Sequence, residues 1–175
     1  MSYVHISRCA DYDEGRVEAA IRESVAALGG MESIVKPGDR VVLKPNLLRP
    51  AVVEAGITTH PAVVKAVVRL VQEAGGIPTI ADSPGGPHNS AYLRLVYATT
   101  GMEHVARETG AAICHDLRVT RLPYPEGHLV KLAELLAVIA EADVLINLPK
   151  LKTHGLTTMT GAIKNLFGAI PGVTK

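Results

Sequence analysis

Short apolar runs alternate with longer amphipathic stretches along most of this chain. The runs 39–44, 77–81, 111–114 and 144–146 have the length of buried strands. Between them, apolar residues recur at helical spacing over 17–28 and 61–74, and 91–109 is mostly helical with an interruption at 99–101. This alternation predicts an α/β fold, a mostly parallel, Rossmann-like sheet with helices on both faces.

The remaining stretches are less regular. Residues 3–8 alternate apolar and polar side chains, which predicts a first strand. We expect 47–59 to form a long loop and 117–127 to be irregular; 129–142 favours a helix in its later part, while its earlier part could be a strand. A chain of 175 residues that is 47% hydrophobic can bury one core, so we treat 1–175 as a single α/β domain.

Composition excludes several classes of partner. A net charge of +1 and 3% aromatic residues argue against nucleic acid. We find neither a run of about 18 apolar residues nor a long apolar core at the N-terminus, so we expect no membrane partner and a cytoplasmic location. Cys9 and Cys114 are the two cysteines, and they cannot hold an iron–sulfur cluster by themselves. The cofactor is left open.

Polar side chains follow the ends of the predicted strands. Lys44 and Asn46 follow one strand, Asp82 and Ser83 the next, and Asn147 the last. In a parallel sheet the carboxyl ends of the strands lie at one edge, where ligands of α/β proteins bind. We therefore expect these groups to line a common cleft.

The segment after the last strand is rich in lysine. Lys150, Lys152 and His154 fall within five residues, and a helix ending at Gly168 is predicted beyond them. Free N–H groups at such a helix start favour an anion. The threonine residues between the lysines and this helix are candidate helix caps: Thr157, Thr158 and Thr160. The sequence thus predicts a basic cleft for a small carboxylate or phosphate.

The candidate catalytic residues are Asp82, His154 and Lys150. The carboxylate and the imidazole can move protons, and Lys150 would help to hold the anion, with Lys44, Lys152 and Lys164. Asp82 could equally be a turn residue that bonds its own loop. The candidate ligand-binding residues are Lys44, Asn46, Ser83, Asn147, Lys152, Thr158, Thr160, Lys164 and Asn165.

A metal or cofactor site is the alternative function. It would need imidazole and carboxylate groups to converge. No pair has the i, i+4 spacing that fixes two ligands on one helix, so no residue is assigned as a metal ligand. The groups available for such a site are His60, Asp82, His88, His115, Asp116 and His154.

Five motifs resemble one known family. They are LKPN at 43–46, TTHP at 58–61, ADSPGG at 81–86, INLPKLKTH at 146–154 and TGAIKNLFG at 160–168. From about residue 39 onwards the chain is similar to the uncharacterised bacterial and archaeal family called domain of unknown function 362. Members are commonly longer, and many carry a ferredoxin-like module with two 4Fe-4S clusters.

The resemblance implies that residues 1–175 correspond to the N-terminal part of a longer family domain. It also implies possible partners: a separate iron–sulfur protein or a C-terminal half. On this basis the chain could be a non-catalytic module of a redox protein, or it could form a homo-oligomer.

Overall fold

A computed structural model describes residues 3–172 of the chain. Its helices are few and mostly short. They are α1 (Glu14–Ala27), α2 (Pro61–Glu73), α3 (Ser90–Thr99), α4 (Met102–Thr109), α5 (Ala137–Ala140) and α6 (Ala162–Asn165), with 3-10 turns at Met31–Ser33, Val53–Ala55 and Leu166–Ala169.

The strands fall into a main sheet and two antiparallel ribbons. They are β1 (Arg40–Pro45), β2 (Ile77–Ile80), β3 (Ala112–Ile113), β4 (Val119–Pro123), β5 (Leu132–Leu136), β6 (Val144–Leu148), β7 (Lys152–His154) and β8 (Thr158–Thr160). The main sheet has the order β3-β2-β1-β6, while β4 pairs with β5 and β7 with β8.

All strand pairs of the main sheet are parallel, so the predicted fold class is confirmed. Successive strands first move outward from β1 to β3, and the chain then crosses back to place β6 on the other side of β1. This reversal of strand order is the topological switch point at which α/β sheets bind ligands. In the register here, Leu43 pairs with Ile80, and Lys44 pairs with Asn147.

Both faces of the sheet are covered. On one face Val41, Leu43 and Ile80 pack against α2, α3 and α4. On the other face Val42 packs against Leu136 and the short helix α5. Helix α1 packs on the outer side of α2. Because α2 lies between α1 and the sheet, most of its surface is apolar.

The predicted strand at 3–8 is wrong. Residues 3–10 have no regular secondary structure, and Tyr3, Val4 and Ile6 are exposed. The polar side chains of the segment face α1 instead: the Ser7 and Ser24 hydroxyls lie 2.8 Å apart. Alternation alone does not make a strand, because an extended segment also needs a free sheet edge for its backbone groups.

One further expectation needs correction. The segment 117–127 is not wholly irregular, since it contains β4, which pairs with β5. At the start of α2 the cap is His60, because the Ala62 N–H donates to His60 Nδ1 at 3.1 Å. An imidazole nitrogen can serve as the acceptor that a helix start requires.

Candidate functional site

A buried ion pair joins the ends of β1 and β2. Lys44 is fully buried, and its Nζ donates to Asp82 Oδ1 at 2.6 Å. The second carboxylate oxygen accepts from the Leu47 N–H at 3.0 Å, and the Asp82 N–H donates to the Tyr97 hydroxyl at 3.3 Å. Buried charges are tolerated when they are paired and hydrogen-bonded, as both are here.

Three asparagine side chains, which we call the amide cluster (Asn46, Asn147 and Asn165), lie beside this pair. Asn165 is 2% exposed and connects the others: its Oδ1 accepts from Asn46 Nδ2, and its Nδ2 donates to Asn147 Oδ1, both at 2.8 Å. Its Nδ2 also donates to the Lys44 carbonyl at 3.2 Å. The cluster therefore fastens α6 to the switch point between β1 and β6.

Gly168 lies against the ion pair. A Cβ at this position would come within 2.5 Å of Asp82 Oδ1 and 2.6 Å of Lys44 Nζ. The Gly168 carbonyl accepts from the Ser83 N–H at 3.0 Å. Any larger side chain would displace the pair, so glycine is required by the close approach of the backbone.

An open cleft of about 120 Å³ lies over the pair and the amide cluster, and we call it the strand-end cleft. One wall comes from the loop after β2 and the other from α6 and the turn that follows it. Lys164 lies at its rim, with its ammonium 5.6 Å from the centre of the Phe167 ring. The lining residues are Lys44, Asn46, Leu48, Asp82, Ser83, Pro84, Gly85, Lys164, Asn165, Phe167 and Gly168.

Lys152 reaches the amide cluster from β7. Its Nζ donates to Asn46 Oδ1 at 2.7 Å and to the Ile57 carbonyl. Burial lowers the pKa of this half-buried lysine, and the positive charges of Lys150 and Lys164 lower it further. These three ammonium groups therefore lie near the switch point, in addition to the paired ammonium of Lys44.

Within residues 3–172, Lys150, Lys152 and Lys164 have no carboxylate at ion-pair distance. The contrast with Lys65 is clear, since that lysine pairs with Glu14 and Glu108, each at 2.6 Å. Uncompensated positive charge is thus concentrated at one end of the sheet. Such a concentration attracts anions.

Lys150 follows the same strand end but turns away from the amide cluster. Its Nζ donates to the Tyr12 hydroxyl at 2.8 Å and lies 5.1 Å from the centre of that ring. The Tyr12 ring stacks on His60, with 3.9 Å between ring centres. Lys44 and Asp82 therefore meet directly, while Lys150 contributes charge from a neighbouring position.

The other predicted residues lie in the hairpin of β7 and β8 and not at the start of a helix. His154 Nδ1 accepts from the Leu156 and Thr157 N–H groups, so its ring closes the turn. Thr158 is exposed, and Thr160 is buried in β8. The predicted threonine caps are wrong, because the residue before α6 is Gly161, which makes no side-chain cap. A β-branched, threonine-rich stretch suits a strand as well as a cap.

The candidate metal ligands do not converge. Across residues 3–172 no three histidine, cysteine, aspartate or glutamate side chains are arranged to hold an ion. His115 packs edge-on against Tyr97, and Asp116 pairs with Arg118 at 2.7 Å. His88 Nε2 lies 3.1 Å from the Leu117 carbonyl oxygen.

Sequence reasoning missed several residues that shape the site. Thr59 Oγ1 accepts from the Asn46 N–H and donates to the Leu148 carbonyl, which ties the loop after β1 to β6. Tyr97 and the Ile57 carbonyl are partners of Asp82 and Lys152, respectively. The repeated Thr58-Thr59, followed by His60 and Pro61, was the available signal for Thr59; the other two contacts are set by tertiary structure.

Fold and site define an α/β protein with a polar, lysine-bearing cleft at the switch point of a parallel sheet. More narrowly, the chain belongs to the family described as domain of unknown function (DUF362), whose sequence profile matches residues 41–175. The family indicated by the five motifs is therefore confirmed.

The chain is also similar to the thylakoid-associated protein sll1697 of Synechocystis sp., with 41% identity over 98% of this chain. It spans 52% of the length of that relative. No solved structure matches the chain. Among residues 3–172, no helix has both the length and the apolar character needed to cross a membrane.

Proposed function

We propose that the strand-end cleft binds a small anion, a carboxylate or a phosphate. One observation carries the proposal: Lys152 bonds to the amide cluster, Lys164 lines the cleft beside it and Lys150 adds charge nearby, and none of the three has a carboxylate partner in the described part of the chain. Ammonium groups drawn together in a partly buried site repel one another, and a bound anion relieves that repulsion.

The structure supports distinct roles for the predicted residues. Lys164 at the rim and Lys152 behind Asn46 are the groups that hold the anion. Lys44 already donates to Asp82, to the Pro45 carbonyl at 3.2 Å and to Asn165 Oδ1 at 3.4 Å, so its role is to position Asp82. The amide cluster orients the ligand through Asn46 and Asn165, which both line the cleft.

The proposal does not assign proton transfer to His154. Its ring closes the hairpin turn, and its predicted catalytic role stays a prediction, as do those of Asp82 and Lys150. The cytoplasmic location is likewise a prediction.

Thermal unfolding with added anions tests the proposal. We expect phosphate or acetate to raise the melting temperature more than chloride does at equal ionic strength. At a concentration 100 times Kd, one bound ligand stabilises the folded state by about 2.7 kcal/mol. Lys164→Gln and Lys152→Gln should reduce the shift, whereas Lys36→Gln, which removes a charge near the start of β1, should leave it unchanged. Equal shifts in all three variants would rule out the cleft as the binding site.

A second role, as a partner-binding module, is favoured by the surface beside the cleft. Exposed apolar side chains are frequent around the β7–β8 hairpin and α6: Leu151, just before β7, is 72% exposed, Leu156 is 88% exposed and Ile163 is 84% exposed. Exposed apolar surface of this kind is typical of protein interfaces. We propose that a second copy of the chain covers it. Light scattering should then show a dimer that dissociates in Leu156→Ser/Ile163→Ser; a monomer at all concentrations would exclude self-association.

A further inference from the structure

The hydrogen bonds of Lys152 leave one position on its nitrogen open. An ammonium has three N–H bonds, whereas a neutral amine has two N–H bonds and a lone pair. Within residues 3–172, Lys152 Nζ has two acceptors, Asn46 Oδ1 and the Ile57 carbonyl. These two acceptors satisfy both N–H bonds of the neutral amine and leave its lone pair without a hydrogen-bond donor.

The charges around Lys152 also favour the amine. Lys150 and Lys164 both act on it with the same sign, and Asp82, whose charge opposes theirs, is already paired with Lys44. Burial and these two lysines lower the pKa of Lys152, so more of it is unprotonated at neutral pH than of an exposed lysine. Desolvation beside other cations is a recognised way to activate a lysine nucleophile.

A second polar group nearby has no partner among residues 3–172. Thr160 lies opposite Lys152 in the β7–β8 ladder, so the two side chains share one face of the hairpin. Thr160 is 2% exposed, and its buried Oγ1 makes no hydrogen bond to the described residues. Buried hydroxyls normally find a partner, so this hydroxyl is available to one that enters here.

We infer that Lys152 forms an imine with a small aldehyde or ketone that also carries a carboxylate or phosphate group. The inference rests on the proposed function and changes one role in it: Lys164 would hold the anionic group, and Lys152, as the neutral amine, would face the carbonyl carbon through Nζ. Because Thr160 shares a face of the hairpin with Lys152, its hydroxyl would donate to the carbonyl oxygen and act as a positioning residue.

The chemistry balances without an oxidant or reductant. The nitrogen lone pair forms a bond to the carbonyl carbon, and the C=O π electrons move to oxygen. A proton passes from nitrogen to that oxygen to give a carbinolamine. The C–O bond then breaks with uptake of one more proton, water leaves, and a protonated imine remains on Lys152.

Reductive trapping tests this in the full chain. The protein is incubated with pyruvate and sodium cyanoborohydride, and the labelled lysines are mapped by peptide mass spectrometry. Acetone, an uncharged ketone, is used in parallel. Lys36 and Lys131, whose Nζ atoms donate to the Glu32 and Pro125 backbone carbonyls, provide the reference rate for ordinary lysines in the same sample.

We expect pyruvate to label Lys152 at least about tenfold faster than Lys36, and the ratio of Lys152 to Lys36 labelling to be lower with acetone. Lys152→Arg should remove the adduct. Labelling of Lys152 at the rate of Lys36 with pyruvate would overturn the inference, even where phosphate still stabilises the protein. Equal ratios with pyruvate and acetone would overturn the anionic substrate class and the anion cleft with it.

Discussion

Lys44 Nζ and Asp82 Oδ1 lie 2.6 Å apart, and both side chains are almost completely removed from solvent. The two residues end neighbouring strands and are 38 positions apart in sequence. Gly168 approaches them so closely that the turn after α6 covers the pair. The floor of the strand-end cleft is therefore a buried salt bridge in which each charge stabilises the other.

Lys44→Met should destabilise the protein strongly. Removing one partner of a buried pair leaves the Asp82 carboxylate uncompensated, which costs about 3–5 kcal/mol. Urea unfolding at neutral pH would measure the loss. Adding Asp82→Asn to Lys44→Met should recover part of it, because the neutral amide can still accept from the Leu47 N–H. If the loss in the double variant equals the sum of the losses in Lys44→Met and Asp82→Asn alone, the two residues are not coupled.

Gly168→Ala should destabilise through steric overlap. The added Cβ would contact Asp82 Oδ1 and Lys44 Nζ at 2.5 and 2.6 Å, and overpacking of this kind costs about 1–3 kcal/mol. Gly155→Ala is the matched control, because its Cβ meets no atom within 4 Å and neither glycine has a positive φ. Chemical denaturation of both variants measures the loss in unfolding free energy. A loss for Gly155→Ala as large as that for Gly168→Ala would remove the steric explanation.

Much of the sheet could be predicted because its strands are short apolar runs bounded by glycine and proline. Lys44 and Asp82 were correctly placed at strand ends for the same reason. Their direct contact could not be predicted, since it depends on the register that pairs Leu43 with Ile80. Sequence periodicity specifies which face of a strand is buried but not which strand lies beside it.

The lysine-rich segment was harder to predict. Thr157 to Thr160 suits both a helix cap and a strand, and the hairpin forms because Lys152 and Thr160 pair across the turn. The orientation of Lys150 depends on Tyr12, which lies 138 positions earlier in the chain. Such contacts arise from tertiary structure, which local pattern does not contain.

The cap of α2 should depend on pH. Burial lowers the pKa of His60, and the positive charge of Lys150 lowers it further, opposed by Glu54 and Glu14. A histidine whose folded pKa lies below its unfolded value binds protons more readily when unfolded, so its contribution to stability falls as pH drops through that unfolded value of about 6.5. Protonation of Nδ1 also removes the acceptor for the Ala62 N–H.

His60→Asn tests this, because asparagine keeps a capping acceptor without titrating. Between about pH 7 and pH 5 this variant should lose less unfolding free energy than the wild type does. Urea denaturation at both pH values measures the difference, and His128→Asn controls for the removal of a histidine from an exposed loop. A loss in His60→Asn equal to that of the wild type would show that the cap does not carry the effect.

Thr160→Val should separate folding from binding. An unpaired buried hydroxyl costs about 1–3 kcal/mol, so replacing it with a methyl group of similar size should leave stability unchanged or raise it in the absence of ligand. If the hydroxyl positions a bound carbonyl compound, the same variant should slow the trapping of pyruvate on Lys152.

Thr153→Val, on the exposed face of the same hairpin, is the control and should change neither quantity. The free energy of unfolding and the rate of pyruvate trapping on Lys152 are measured for both variants. Strong destabilisation by Thr160→Val would mean that its hydroxyl supports the fold itself. Unchanged trapping in a stable Thr160→Val variant would show that the hydroxyl has no part in binding at Lys152.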